Sequence, residues 1–413
     1  MIVDIKYGKD GQESVHIPDE KLIGVYHPNE VQSRPAEQEI EAALDSPQGW
    51  ESIESFLEGG EDVVFIVNDG TRPTPTAQVL DVLSRRIDLR CARFLVATGT
   101  HRAPTREEYE YIFGPLYDHL KDRVYSHDCL QDPMVNLGTS KNGTVMEVNR
   151  MAVEADRLVI ITSVEPHYFA GYTGGRKSFL PGVASYRTIE QNHRLAMRAE
   201  AQALALEGNP VHEDMMDALQ VVEGKRIFSI QTVLDRHQRI YRAAAGDLHQ
   251  AFFQAVRWAD EVFSVQVPER ADVVISVAPY PMDVDLYQSQ KALDNGKWAL
   301  KEGGTIVIVS KCREGVGHAA FLDQLSSCSD PQELMRRLNL EYRLGHHKAA
   351  KMAEISTWAR IFVVSGLEPS IISKANMRPF PSVDAALRLV WEEDPQARVL
   401  VLTDGSITVP KVQ

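Results

Sequence analysis

Residues 158–183 read LVIITSVEPHYFAGYTGGRKSFLPGV. The opening run, Leu158 to Thr162, lacks the apolar–polar alternation of a half-exposed strand, so it reads as a strand buried on both faces. A polar, glycine-rich turn follows it, and then a helical pattern. The same succession of apolar run, polar turn and helix recurs at Val63–Val67, Phe94–Ala97 and Ile227–Thr232. It returns at Val273–Val277, Thr305–Val309, Ile361–Val364 and Val399–Leu402. Continuous apolar strands alternating with helices build largely parallel sheets with helices on both faces. Between the two sets lie a helical stretch, Leu248 to Trp258, and the segment Val267-Pro268-Glu269-Arg270. The expectation is two three-layer α/β domains, residues 1–265 and 266–413, with an active-site cleft between them and one helix-rich insertion around Arg194–Ala218.

Composition narrows the function. The 413 residues include 44 Lys+Arg against 58 Asp+Glu, a formal net charge of −14, which argues against a nucleic-acid partner because that would call for a basic surplus. No apolar run approaches the ~20 residues that span a bilayer, and the first residues lack the apolar core of a secretory signal. Cys91, Cys129, Cys312 and Cys328 are widely spaced and form no CxxC, as suits reduced thiols that act as packing residues in a cytoplasmic protein. An anionic substrate would need a local group of cations to hold it against the overall charge.

Ligands gather at the carboxyl ends of strands in such sheets, so the turns that follow each strand are the candidate sites. After the first strand, Asn68-Asp69-Gly70-Thr71-Arg72-Pro73 offers an acceptor, a hydroxyl and a guanidinium able to clamp an anion; the plainer reading is a helix-capping turn with a surface arginine. After the second, Thr98-Gly99-Thr100-His101 leads into Thr105-Arg106-Glu107-Glu108, the pattern of a capping box. In 163–182, His167, Gly174, Gly175, Arg176 and Lys177 fall within eleven residues. The phosphate-loop pattern GxxxxGK[ST] fails because Arg176 stands where glycine is needed, and no GxGxxG follows any strand. Three histidines from separate segments, His101, His167 and His193, plus Lys177 could build a metal or covalent-cofactor site; alternatively Arg176 and Lys177 are solvated cations. In the second half, Gln288 and Lys291 share a helix face by their i,i+3 spacing, next to Tyr287. That face could reach a ligand or could equally be an exposed polar surface.

Taken together these segments resemble the lactate racemase family, nickel-dependent 2-hydroxyacid racemases and epimerases that use a pyridinium pincer mononucleotide. The matching stretches are NDGTRPTPT at 68–76, TGTHR at 98–102, EPHYFAGYTGGRKSFLPGV at 165–183, NH at 192–193, GNPVHEDM at 208–215, YPMDVDLYQSQKAL at 280–293, CREGVG at 312–317 and LGHHKAAKM at 344–352. The resemblance implies that Lys177 carries the cofactor covalently, a Ni(II) pyridinium-3-thioamide-5-thiocarboxylate mononucleotide, with His193 as the protein ligand to nickel. It implies His101 and His167 as the acid/base pair, Arg72 on the substrate carboxylate with Tyr287, Gln288 and Lys291 assisting, and Asp69, Thr71, Gly174, Gly175 and Arg176 around the cofactor. The implied partners are a small anionic 2-hydroxy acid and the proteins that make the cofactor.

The chain departs from the family pattern twice. Asn68 precedes Asp69 where two consecutive acids are expected, and Arg176 sits directly before the cofactor lysine, where it could pair with the cofactor phosphate or extend the substrate site toward a second carboxylate. Two other functions use the same residues: a zinc-dependent hydrolase built on the histidines with Asp69 or Glu165 as a ligand, and a non-catalytic small-anion binding protein relying on Arg72 and Lys291.

Overall fold

A computed structural model describes residues 1–220, 226–317 and 319–413. The chain folds as two compact units, one made of Glu30–Val262 and the other of Met1–Asn29 together with Phe263–Gln413.

The first unit is built on a six-stranded sheet in the spatial order Ile240–Gly246, Arg226–Leu234, Arg157–Ser163, Val63–Asn68, Arg93–Ala97, Val124–Ser126. All neighbours are parallel except Arg226–Leu234 with Ile240–Gly246. Successive side chains of the central strands enter opposite cores. Phe65, Val67, Phe94, Val96, Val159 and Ile161 pack on one face, while Val64, Ile66, Leu95, Leu158 and Ile160 pack on the other. Both faces are covered by helices, which is why these strands read as unbroken apolar runs.

The second unit has a fully parallel six-stranded sheet, Arg378–Phe380, Arg360–Ser365, Leu300–Ser310, Ala271–Val277, Val399–Leu402, Leu22–Tyr26. Its core holds Val273, Ile275, Val277, Val307, Val309, Phe362 and Val401.

The expected boundary near residue 265 coincides with the end of the helix Leu248–Phe263, but the assignment of the first residues to the N-terminal domain is corrected. The hairpin Ile2–Tyr7 with Gly11–His16 buries Val3, Ile5, Val15 and Ile17 in the core of the second unit, and Leu22–Tyr26 completes that unit's sheet against Val399–Leu402. About 1.5–3 kcal/mol for each buried aliphatic side chain outweighs sequence adjacency. The helix-rich insertion is present as Tyr186–Arg194 and Pro210–Gln220. Among the cysteines only Cys312 is buried, and Cys91 is exposed, so the packing role expected of all four does not extend to Cys91. No helix among the described residues is long and apolar enough to cross a membrane.

Candidate active site

In the first unit the turns after three adjacent parallel strands are tied to one another. Asn68, at the end of Val63–Asn68, donates its side-chain amide to the Thr74 hydroxyl at 2.7 Å and to the Thr162 hydroxyl at 3.1 Å. Thr74 in turn meets the Ser163 hydroxyl at 2.8 Å. A carboxylate at position 68 could not donate, so Asn68 converts this turn into a cross-strand tie. Gly99, at φ +57°, donates its N–H to the Gly182 carbonyl at 2.9 Å and joins the His101 turn to the end of the Lys177 loop. The capping box of Thr105 and Glu108 forms as its spacing predicts and starts the helix Arg106–Phe113.

These ties bring His101 and Asp69 together. The buried Asp69 carboxylate accepts from His101 Nδ1 at 2.7 Å through one oxygen and from the Thr71 hydroxyl at 2.7 Å through the other. Burial by itself would raise the Asp69 carboxyl; the hydrogen bonds from His101 and Thr71 and the charge of Arg72 outweigh it and hold the group below the ordinary carboxylate range. With Nδ1–H given to Asp69, the lone pair of His101 lies on Nε2, the arrangement of a base oriented by a carboxylate. Asp69 and Thr71, expected to line the cofactor, therefore act first on His101.

The loop after Arg157–Ser163 forms a short hairpin, Pro166–His167 with Gly171–Tyr172, then turns at Gly174 and Gly175, whose φ values are +84° and +48°. A Cβ at Gly174 would lie 2.5 Å from the Val164 side chain, so only glycine fits there. One helical turn, Gly175–Ser178, then presents Lys177. The Ala170 N–H donates to His167 Nδ1 at 3.3 Å, and His167 Nε2 stands 3.5 Å from Lys177 Nζ. Phe169 sits edge-on to the rings of both His167, at 4.5 Å, and His193, at 5.1 Å, and lies 5.6 Å from Lys177 Nζ. Three groups, two from one loop and one from the helix Tyr186–Arg194, thus surround a single aromatic ring. Desolvation, with the Lys177 charge adding to it, lowers the His193 imidazole to about 3, so His193 is a neutral lone-pair donor at neutral pH.

Arg176 does not point where it was expected. Its guanidinium is buried at 1% exposure and turned into the fold, against His212 and the carbonyls of its own loop, which leaves it unable to meet a cofactor phosphate or a second substrate carboxylate. Two residues that sequence reasoning missed complete the loop's anchorage. Gln231 accepts the Gly175 N–H at 3.0 Å, and Phe252 packs under Gly175, where a Cβ would come within 3.1 Å of its ring. Only the GNPVHEDM stretch hinted at this support, through His212.

In the second unit Tyr287, Gln288 and Lys291 lie on the helix Leu286–Gly296. Asp285 caps it, accepting from the Gln288 N–H at 2.6 Å, and the loop 313–316 pairs with 283–287 through four main-chain hydrogen bonds, among them Tyr287 N–H to Val316 O at 3.2 Å. Lys348, also missed, lies 3.7 Å over the Tyr287 ring and donates to the Tyr287 carbonyl at 2.8 Å. Burial, then the Asp285 charge, pushes the Tyr287 phenol up to about 12, so it is a neutral hydrogen-bonding group. The LGHHKAAKM and CREGVG stretches are thus the scaffold of this helix end.

Residues 7–205 match the family model described as the lactate racemase N-terminal domain, and residues 266–409 match the lactate racemase C-terminal domain. A lactate racemase of Lactiplantibacillus plantarum is 33% identical over 427 aligned positions, covering 98% of both chains. One from Thermoanaerobacterium thermosaccharolyticum is 32% identical over 345, covering 81% of this chain and 80% of that protein. The chain belongs to the lactate racemase family.

The solved lactate racemase apoprotein from T. thermosaccharolyticum superposes with a TM-score of 0.92 at 29% identity over the whole of both chains. A Thermotoga maritima protein shares the fold, with a TM-score of 0.67 at 16% identity over 91% of this chain and 98% of its own. Membership of the lactate racemase family supports a racemase activity and brings a need for a cofactor. The residues present fit one that supplies most of its own metal ligands. Among the described residues no group of three or more His, Cys, Asp or Glu side chains is placed to hold a metal, so the three-protein-ligand set of a zinc hydrolase is not assembled, whereas neutral His193 can complete a coordination sphere otherwise organic. At the glycine turn, the buried Ser178 hydroxyl and the Gln231 side-chain amide nitrogen have no hydrogen-bond partner among the described residues, polar capacity that a nucleotide can take up.

Proposed function

We propose that the chain inverts the C2 stereocentre of a small 2-hydroxy acid, using a nickel-pincer nucleotide attached at Lys177. The observation that carries this reading is the convergence of Lys177, His167 and neutral His193 around Phe169, on the sheet edge where Asp69 orients His101. Lys177 would hold the cofactor through its amine and His193 would ligate nickel. Bound there, the cofactor supplies reversible hydride acceptance, the step that a weakly acidic C–H does not otherwise permit.

The chain's own residues handle protons and binding. His101 accepts the hydroxyl proton on Nε2 while Asp69 stabilises the imidazolium that results, and His167 is the acid/base partner for the opposite enantiomer. Each histidine returns a proton in the reverse direction, so one pair serves both hands of the substrate. Arg72 pairs with the substrate carboxylate, which a chain of net charge −14 needs, and Tyr287, Gln288 and Lys291 are the further substrate-binding side chains. Gly174 and Gly175 give the turn its close approach.

The test uses protein made alongside the cofactor-synthesis proteins, followed by intact mass, nickel analysis and a chiral assay across 2-hydroxy acids. An adduct on Lys177, about one nickel per chain and interconversion of one acid's enantiomers is the expected result. A chain that racemises with no adduct on Lys177 would overturn the assignment.

A further inference from the structure

We propose that Arg176 and His212 form a positioning pair that fixes Lys177 against His167. The inference rests on the roles given to those two residues above and names what holds them in place. All five N–H donors of Arg176 are matched. Nε–H donates to His212 Nδ1 at 2.9 Å, Nη1 to the carbonyls of Thr173 at 3.2 Å and Gly174 at 3.4 Å, and Nη2 to those of Ala170 at 2.7 Å and Tyr172 at 3.0 Å. The guanidinium carbon lies 4.4 Å from the Phe252 ring centroid, and the His212 ring stacks on the same ring at 6.4 Å and 23°.

Every carbonyl in this set belongs to the segment between His167 and Lys177. The loop therefore curls around its own arginine, and the conformation that sets the 3.5 Å spacing of Lys177 Nζ and His167 Nε2 is the one that saturates the fork. Among the described residues no carboxylate pairs with Arg176. A buried cation without a counter-ion costs several kcal/mol unless its hydrogen bonds are complete, so the fold tolerates it only in this one geometry. Lysine cannot substitute, because three donors on a flexible stem do not reproduce five in a rigid plane. His212 must offer a lone pair on Nδ1; burial, and then the charge of Arg176, keep it neutral by lowering it to about 3. The arginine that departs from the family pattern and the histidine of GNPVHEDM thus find one shared task.

Four full-length variants test the pair: Arg176→Lys, Arg176→Met, His212→Gln and His212→Leu. Glutamine can accept the same Nε–H, and leucine cannot. In cofactor-free protein, the acetylation rate of Lys177 by acetic anhydride as a function of pH, read by peptide mass spectrometry, is expected to depart from the parent profile in Arg176→Lys and His212→Leu and to stay at the parent profile in His212→Gln. In protein carrying the adduct, kcat per loaded chain falls about a hundredfold in Arg176→Lys, as expected for a displaced reacting group, while KM stays within about threefold and His212→Gln keeps the parent value. Loss of thermal stability with kcat per loaded chain and the acetylation profile unchanged in Arg176→Lys overturns the proposal. Equal damage from His212→Gln and His212→Leu also overturns it. Should Arg176→Met fail to fold, the two His212 variants still decide. The acetylation arm needs no cofactor, so it distinguishes failure of the pair from failure of the racemase reading.

Discussion

The two units place the candidate site residues at the carboxyl ends of similar six-stranded sheets, by different means. In Glu30–Val262 the proposed reactive groups sit on turns: His101 beyond Gly99, and Lys177 beyond Gly174 and Gly175, all three glycines at positive φ. Their geometry comes from main-chain hydrogen bonds, a buried carboxylate and a buried guanidinium. In the other unit Tyr287, Gln288 and Lys291 ride a capped helix, and their geometry comes with the helix itself. A turn lets two side chains from one loop approach to 3.5 Å; a helix spaces them at fixed intervals along one face. The first arrangement suits chemistry on a single atom, the second suits holding a substrate. Damage to the turns should therefore appear in kcat, and damage to the helix support in KM.

The largest effect should come from Lys177→Ala, which removes the proposed attachment point: intact mass should show no adduct, and racemisation should fall to the uncatalysed level. Next is Asp69→Asn. The amide cannot hold His101 in the same tautomer, so kcat should fall about 10³- to 10⁴-fold, with adduct mass and KM retained; a loss confined to KM would break the contrast between the units. Lys348→Met in the second unit removes the donor to the Tyr287 carbonyl while Asp285 still caps the helix. Steady-state kinetics should give KM raised about tenfold with kcat nearly unchanged, the pattern of lost uniform binding.

A separate prediction, on stability rather than kinetics, concerns acid. His212 is lowered in the fold to about 3 from an ordinary value of 6.5, so its contribution is complete above pH 6.5 and is lost as pH falls from there toward 3, by up to about 1.4 kcal/mol per pH unit. Urea unfolding between pH 4 and 7 should therefore show a shallower acid limb in His212→Gln than in the parent, and an unchanged slope would count against a buried neutral His212.

The eight strands expected from apolar runs are all present, because each is covered on both faces and so has no polar alternation to obscure it. Four other strands of the two six-stranded sheets escaped. Val124–Ser126 and Arg378–Phe380 are three-residue edge strands, Leu22–Tyr26 is half-exposed along its length, and Ile240–Gly246 is rich in alanine, a poor strand former. Residues 1–29 could not be placed by sequence order, since the core they join is formed by residues beyond 263. Within the candidate site, His101, His167 and Lys177 stood out because their residue types are unusual in turns that follow strands, and His193, on a helix, through the family resemblance. Gln231, Phe252 and Lys348 did not, because an ordinary glutamine, phenylalanine or lysine announces a contact only once its neighbour is known.

What the sequence by itself determined is the layered α/β architecture, the turns that carry the candidate site residues and the family to which the chain belongs, since periodicity and residue type are local properties. Only the tertiary structure decided that Asp69 serves His101, that Lys348 holds the Tyr287 segment, and that Arg176 faces inward to a histidine 36 residues away. The direction of a side chain on a turn is set by which partners desolvate it and satisfy its hydrogen bonds, and those partners come from elements that meet only when the sheet is complete.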